Sequence, residues 1–351
     1  MRESLQQDLN YIWKEWNVKE FIGEGSFGKV YRIERRDTFG QTYQAALKVI
    51  TISGKQAKDP SVIDEIVKEF SLMARVKGNS NIVSYEDHAI LPQKNGNGWR
   101  IYIRMELLMP FKEYQKKEDF SVKKVIRLGI DLCRALEVCE QYEIIHRDIK
   151  PENIFVSELG NFKLGDFGIA RQMRVFQSND VKKGTYTYMA PEIIQGKEYD
   201  RTVDLYSLGL VLYRCLDQGR LPFYPSYPEK ISPQEKKEAQ QRRLQGEEIS
   251  LPLKGGEKLG HVIRKACAYD VSKRYQDPAR MRQDLEAILE ECVDESLKDN
   301  FQCEKKQFFT EEKKESEETI SLFQEEPQNL EDEDTYKLNL GQSAEKRNCP
   351  E

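Results

Sequence analysis

Asp148, Asn153 and Asp166 constrain this chain more than anything else in it. They stand in Ile145-His146-Arg147-Asp148-Ile149-Lys150-Pro151-Glu152-Asn153 and in Asp166-Phe167-Gly168. Between the two runs, Ile154-Phe155-Val156, Glu158-Leu159-Gly160-Asn161 and Phe162-Lys163-Leu164 read as strand, turn and strand. A hairpin of that length folds Asp166 back toward Asp148 and Asn153. Two carboxylates, an amide and the lysine Lys150 then converge from one short piece of chain.

Such a set suits phosphoryl transfer from a metal-bound nucleotide. That reaction needs the phosphates held in line, their charge neutralised and the acceptor hydroxyl oriented, with little covalent help. Asp166 and the side-chain oxygen of Asn153 are hard oxygen donors for divalent cations. Asp148 is left to accept or orient the hydroxyl proton, and Lys150 to meet the moving phosphate as a point charge.

The upstream half supplies a nucleotide site in the matching order. Gly23-Glu24-Gly25-Ser26-Phe27-Gly28-Lys29-Val30 is a glycine-rich turn with the apolar Ile22 and Val30 on either side. Glycines let backbone amides come close to phosphate oxygens. A dinucleotide-binding fold shows the same glycine spacing, but there the glycines open a helix. Here Val30-Tyr31-Arg32-Ile33 reads as a strand. The next apolar strand, Ala45-Ala46-Leu47-Lys48-Val49-Ile50, carries a lysine that needs a partner if buried. Pro60-Ser61 with Asp64 reads as a helix start, and Ile63, Ile66, Val67, Phe70, Met73 and Ala74 follow at helical spacing. Glu69 flanks that apolar face. It is the candidate partner of Lys48, the alternative being a solvated helix charge.

These motifs together resemble a eukaryotic-like serine/threonine protein kinase, closest in flavour to cytosolic bacterial members of Firmicute type. The resemblance covers roughly residues 11 to 292. It implies an α+β, bilobal fold: a small, mainly antiparallel β lobe with one key helix, and a larger, mainly helical lobe. The expected boundaries are 1–108, 109–294 and a tail at 295–351. It also implies ATP with Mg2+ as cofactors, Mn2+ being a substitute. Lys48 would hold the α and β phosphates. Val30 and Ala46 would cover one face of the adenine and Phe155 the other, with Met105 at the back of the pocket. Backbone groups of Glu106 and Leu108 would bond the purine edge, leaving their side chains free to vary.

Gly184-Thr185-Tyr186-Thr187-Tyr188-Met189-Ala190-Pro191-Glu192 resembles the floor on which protein kinases lay a peptide. Small-molecule phosphotransferases generally lack it. Thr185 would bond Asp148 and Lys150, and with Lys150 it matches the serine/threonine class. Glu192 would pair with Arg274, and Asp204 would brace the catalytic loop from a buried helix. Arg147 and Lys163 would answer a phosphate on Ser178 or Thr187. The rival from another class is a pseudokinase scaffold. Its usual mark is loss of the lysine or of either aspartate, and all three are present.

Composition agrees with an enzyme of two lobes plus an extension. No apolar run reaches the roughly 18 residues of a membrane span, and no amino-terminal secretory pattern is seen. The seven cysteines show no metal-ligand spacing. Cys133 and Cys139 read as buried thiols in an amphipathic stretch, and a reducing cytoplasm is the expected location. His146 reads as structural, while His88 and His261 show no partners. From 295 to 351 there are sixteen acidic and eight basic residues, a net of −8 in a chain of net −5. Thr310, Ser316, Thr319, Ser321 and Thr335 lie among those carboxylates. Protein substrates with Ser/Thr acceptors are the expected partners, with a phosphothreonine-reading module at the tail. Nucleic acid is not expected: Arg242-Arg243 is too small a basic cluster.

Overall fold

The computed structural model describes residues 2–25, 28–53, 60–93, 96, 98–117, 120–167 and 185–292, all within one compact unit, Met1–Asp294. Ser26, Phe27, Ser178 and the acceptor candidates of the tail lie outside the described residues.

Helix α1 (Arg2–Ile12) leads into a five-stranded antiparallel sheet. Its strands are β1 (Asn17–Gly25), β2 (Gly28–Arg36), β3 (Thr42–Ser53), β4 (Tyr85–Pro92) and β5 (Gly98–Met105), in the order β1-β2-β3-β5-β4. Helix α2 (Pro60–Arg75) joins β3 to β4 and starts at Pro60, so Ser61 is inside the helix rather than its cap. Proline suits a first turn because its missing N–H is unneeded there.

Alternation along the strands decides the two faces. Val18, Tyr31, Ile33, Ala45, Leu47 and Tyr102 are buried together with Leu5, Leu9 and Trp16 under α1. Helix α1 belongs to this core, because Leu9 is completely buried and Leu5 nearly so. Polar contacts fix the same helix. Asp8 Oδ2 accepts from Arg100 Nη1 at 2.7 Å and from Tyr102 OH at 2.6 Å. Trp13 Nε1 donates to Asp87 Oδ2 at 2.7 Å. On the other face, Ile50, Ile52, Ile101 and Ile103 meet Ile66, Phe70 and Met73 of α2. Lys48 shares this second face with Ala46 and Ile50 by the two-residue period.

The larger part holds a short sheet, β6 (Met109–Pro110), β7 (Ile154–Val156) and β8 (Phe162–Leu164), in that order. Its helices are α3 (Phe111–Lys117), α4 (Val122–Gln141), α5 (Pro191–Ile194), α6 (Thr202–Leu216), α7 (Pro233–Leu244), α8 (Gly256–Ala266) and α9 (278–292). Helix α6 is buried along almost its whole length and serves as the axis of the core. Gly129 lets α4 approach it, since a Cβ there would sit 2.7 Å from Leu285 and 3.1 Å from Leu212. Cys133 and Cys139 are buried thiols on α4. Among the described residues no helix is long and apolar enough to cross a membrane.

Candidate active site

Asp148 sits in a loop that α6 holds by its backbone. The Asp204 carboxylate on α6 accepts His146 N on Oδ2 and Arg147 N on Oδ1, each at 2.7 Å. These bonds help to hold Arg147 at φ 65°, a left-handed conformation that costs an arginine strain. Burial pushes the Asp204 carboxyl up to about 6, against the opposing pull of His146 beside it. His146 is buried, meets the Phe167 ring at 4.8 Å, and places Nε2 3.0 Å from the Gly165 carbonyl. It is structural, as expected.

From this loop Asp148 is met by two neighbours. Lys150 Nζ donates to Asp148 Oδ2 at 2.8 Å, and Asn153 Nδ2 donates to the same oxygen at 2.9 Å. Asn153 Nδ2 also reaches the Asp148 carbonyl at 2.8 Å, which fixes the amide and turns its oxygen the other way. The β7–β8 hairpin returns the chain as the sequence predicts, with Ile154 opposite Leu164. Asp166 then stands at φ 60°, and its Oδ1 accepts from Lys48 Nζ at 2.6 Å. Among the described residues Asn153 Oδ1 and Asp166 Oδ2 make no hydrogen bond. Two oxygen donors of this kind fit a hard divalent cation.

Lys48 is buried, and Asp166 satisfies it. Glu69 lies on α2, but its side chain is outside the described ones, so its pairing with Lys48 is not seen. Val30 pairs with Lys48 across β2–β3, and Ala46 with Met105 across β3–β5. One cleft of about 1680 Å³ is lined by these residues, by Ile22, Gly23 and Glu24, by Leu108 and Phe155, and by Asp148, Lys150, Asn153 and Asp166. Gly25 pairs with Gly28 across the β1–β2 turn. The glycines differ in role. A Cβ on Gly28 would lie 2.3 Å from the Val49 carbonyl oxygen, whereas one on Gly23 would meet nothing within 4 Å. Strand packing by itself demands a glycine at position 28.

Glu106 departs from the sequence expectation. Its backbone N donates to the Ser84 carbonyl at 3.1 Å, which leaves its own carbonyl for a ligand. Its side chain is not free to vary: the carboxylate accepts Ser84 N and takes Lys163 Nζ on both oxygens, at 2.8 and 3.0 Å. Lys163 is therefore engaged at the hinge and is not a waiting partner for a phosphate. Arg147 differs, because its buried Nε has no hydrogen-bond partner. Its guanidinium lies 5.4 Å from the Tyr199 ring centre.

Thr185 opens a 3-10 turn, Thr185–Thr187, and its side chain lies outside the described ones. Thr187 lines the cleft. Behind it, Arg274 grips Glu192 through Nη1 and Nη2 at 2.6 and 2.9 Å, both side chains being buried. His88, without a partner in the sequence reading, has two: Tyr85 OH bonds its Nδ1, and the Phe70 ring stacks at 4.0 Å. Burial lowers its pKa.

Comparison with known proteins agrees with this geometry. The protein kinase domain family matches residues 16–315. The chain is 36% identical to the serine/threonine-protein kinase TIO of Arabidopsis thaliana over 215 residues, 60% of this chain and 15% of that one. It is 30% identical to a probable serine/threonine-protein kinase of Clostridium perfringens over 283 residues, 79% of this chain and 38% of the relative. With the serine/threonine-protein kinase Aurora-2 of Arabidopsis thaliana it shares 31% over 220 residues, 60% of this chain and 72% of the relative. The chain thus spans well under half the length of two of these relatives. A family match across most of the sequence, on a bilobal fold with these side chains in its cleft, shows that the chain belongs to the protein kinase family.

Proposed function

We propose that this chain is an ATP-dependent serine/threonine protein kinase, active and not a scaffold. The carrying observation is the convergence of Asp148, Lys150, Asn153, Asp166 and Lys48 on one cleft. Part of its wall, at Thr187 and Tyr188, belongs to the segment that would support a peptide. Mg2+, with Mn2+ as a substitute, would be held by Asp166 and Asn153 and would neutralise phosphate charge. Asp148 orients the acceptor hydroxyl and takes its proton. Lys150 shields that carboxylate and faces the transferred group, while Lys48 fixes the other phosphates. The relatives' printed names support the serine/threonine class. The remaining parts of the proposal are a cytoplasmic location, division at residues 108 and 294, and self-phosphorylation in the tail at Thr319 or Thr335. A phosphate there would give a partner's arginine cluster a docking point.

The test is incubation of the full chain with Mg-ATP and mapping of phosphosites by mass spectrometry. Asp148→Asn is expected to lose transfer while retaining most nucleotide affinity. Lys48→Met is expected to lose transfer by about 100-fold or more, the scale of removing a transition-state charge contact. Self-phosphorylation of Asp148→Asn at the rate of the unaltered chain would show the mechanism to be wrong.

A further inference from the structure

Beyond the catalytic residues the cleft runs on along a wall of α3, the catalytic loop, α6 and the start of α7. Its ionic groups are not all paired. Asp148 takes Lys150 at 2.8 Å, and Glu152 takes Lys112 at 2.5 Å. Burial alone would raise the Glu152 carboxyl, but the Lys112 bond and the charges of Lys112 and Lys150 bring it below the usual range. Both carboxylates are thus already matched by a lysine. Arg214 and Lys236 line the same cleft, and neither has an ion pair among the described residues. Glu113, exposed on α3, and Glu158, exposed on the β7–β8 turn, are opposing charges in the cleft.

Arg214 is built into place. Its Nε donates to the Gly219 carbonyl at 3.1 Å and its Nη1 to Tyr188 OH at 2.8 Å. Tyr188 is itself buried, and Ser207 OH on α6 donates to its carbonyl at 2.8 Å. The phenol stays neutral, because burial pushes it up to about 12. Among the described residues Arg214 Nη2 donates to nothing. A guanidinium has five N–H groups in a fixed fork and keeps its charge at any working pH. One contact ties it to Tyr188, beside Thr187, the other to Gly219 just after α6, and a donor edge remains unused among the described residues. Glu152 contributes to the field at Arg214 but lies with Lys112, so it does not neutralise the arginine.

We infer that this kinase selects acceptor segments carrying carboxylates next to the Ser/Thr hydroxyl, with Arg214 as the specificity-determining cation and Lys236 supporting it. The inference rests on the kinase reading above and names its substrate class. Preorganised charge-assisted bonds to a carboxylate are the strong kind, and a basic acceptor would leave Arg214 facing like charge. The chain carries acceptors of this composition itself, in Glu317-Glu318-Thr319-Ile320-Ser321 and in Glu331-Asp332-Glu333-Asp334-Thr335.

Two synthetic peptides test it with the full chain and Mg-ATP. Both place one threonine at the centre, one flanked on each side by glutamates and the other by lysines. The quantity read is the ratio of kcat/KM for the acidic peptide to that for the basic one. Because it is a ratio within each variant, partial loss of folded protein cancels. The expected ratio exceeds one in the unaltered chain and falls by about tenfold or more in Arg214→Glu, each tenfold being about 1.4 kcal/mol. Lys236→Glu is expected to shift the ratio in the same direction by less. A ratio at or below one in the unaltered chain, or the same ratio in both variants as in it, would overturn the inference while leaving the kinase reading intact. Failure to phosphorylate either peptide or itself would remove the kinase reading, and this inference with it.

Discussion

Asp204 answers to pH in two opposite ways. Its carboxyl is raised to about 6 in the fold, from an ordinary 3.8, chiefly by burial. Between those values the folded chain keeps a proton that the unfolded chain has released. The contribution of this group to stability is therefore full below 3.8 and declines as pH rises through about 6. Its hold on the catalytic loop runs the other way. Each carboxylate oxygen accepts a backbone N–H at 2.7 Å, an arrangement strongest when the group is ionised. Transfer is expected to weaken as pH falls through about 6, without a matching loss of thermal stability from this group. Profiles of kcat/KM against pH, taken beside melting curves, check this. Asp204→Asn should flatten that part of the activity profile. A profile with the same inflection in the variant would assign it to another group.

At the scale of elements, the β1–β2 hairpin shows that spacing alone does not disclose why a residue is needed. Gly28 is pressed on the backbone of β3, with Lys29 paired to Val49 in the ladder. Backbone cannot yield as a side-chain tip can. Gly28→Ala is expected to cost about 1–3 kcal/mol, the range of overpacking. Gly23→Ala should stay within about 0.5 kcal/mol, as surface changes do. Urea unfolding of both variants decides, and equal midpoints would refute the distinction. The same limit on legibility holds in β4. Tyr85 and His88 are three apart, which in a regular strand puts them on opposite faces. A register shift between Tyr85 and Asp87 changes the parity and brings them together. No pattern in the sequence announces that shift, so His88 looked partnerless. The β7–β8 hairpin was legible because strand, turn and strand follow one another within eleven residues.

For the whole molecule, what was legible is what one segment carries by itself. Asp148, Lys150 and Asn153 form their bonds within five residues of each other. The carboxylate of Glu106 was misjudged because its partners, Ser84 and Lys163, lie 22 and 57 residues away. That trio spans the junction between the two lobes, as does Lys48 with Asp166 across 118 residues. Distant pairing of this sort leaves no periodicity to read. Helix α1 was missed for a related reason: its fully buried residues are Leu5 and Leu9 alone, in a mostly polar run. Family resemblance could not supply it either, since the matched segment opens at residue 16.

That last boundary has a practical side. A gene fragment cut where the family match begins would encode the catalytic loop, the hinge and every strand, yet it would lack α1. Ile33, Leu47 and Tyr102, each fully buried in the whole chain, would then face water. Arg100 and Tyr102, on the strand that ends at Met105, would also lose Asp8 of α1. Protein made from such a fragment should come out of cells in inclusion bodies, or bind hydrophobic dyes in its folded form. The chain with α1 should do neither, and comparing the two preparations settles it. The segment that inheritance marks out thus opens one helix too late to keep this face of the sheet covered.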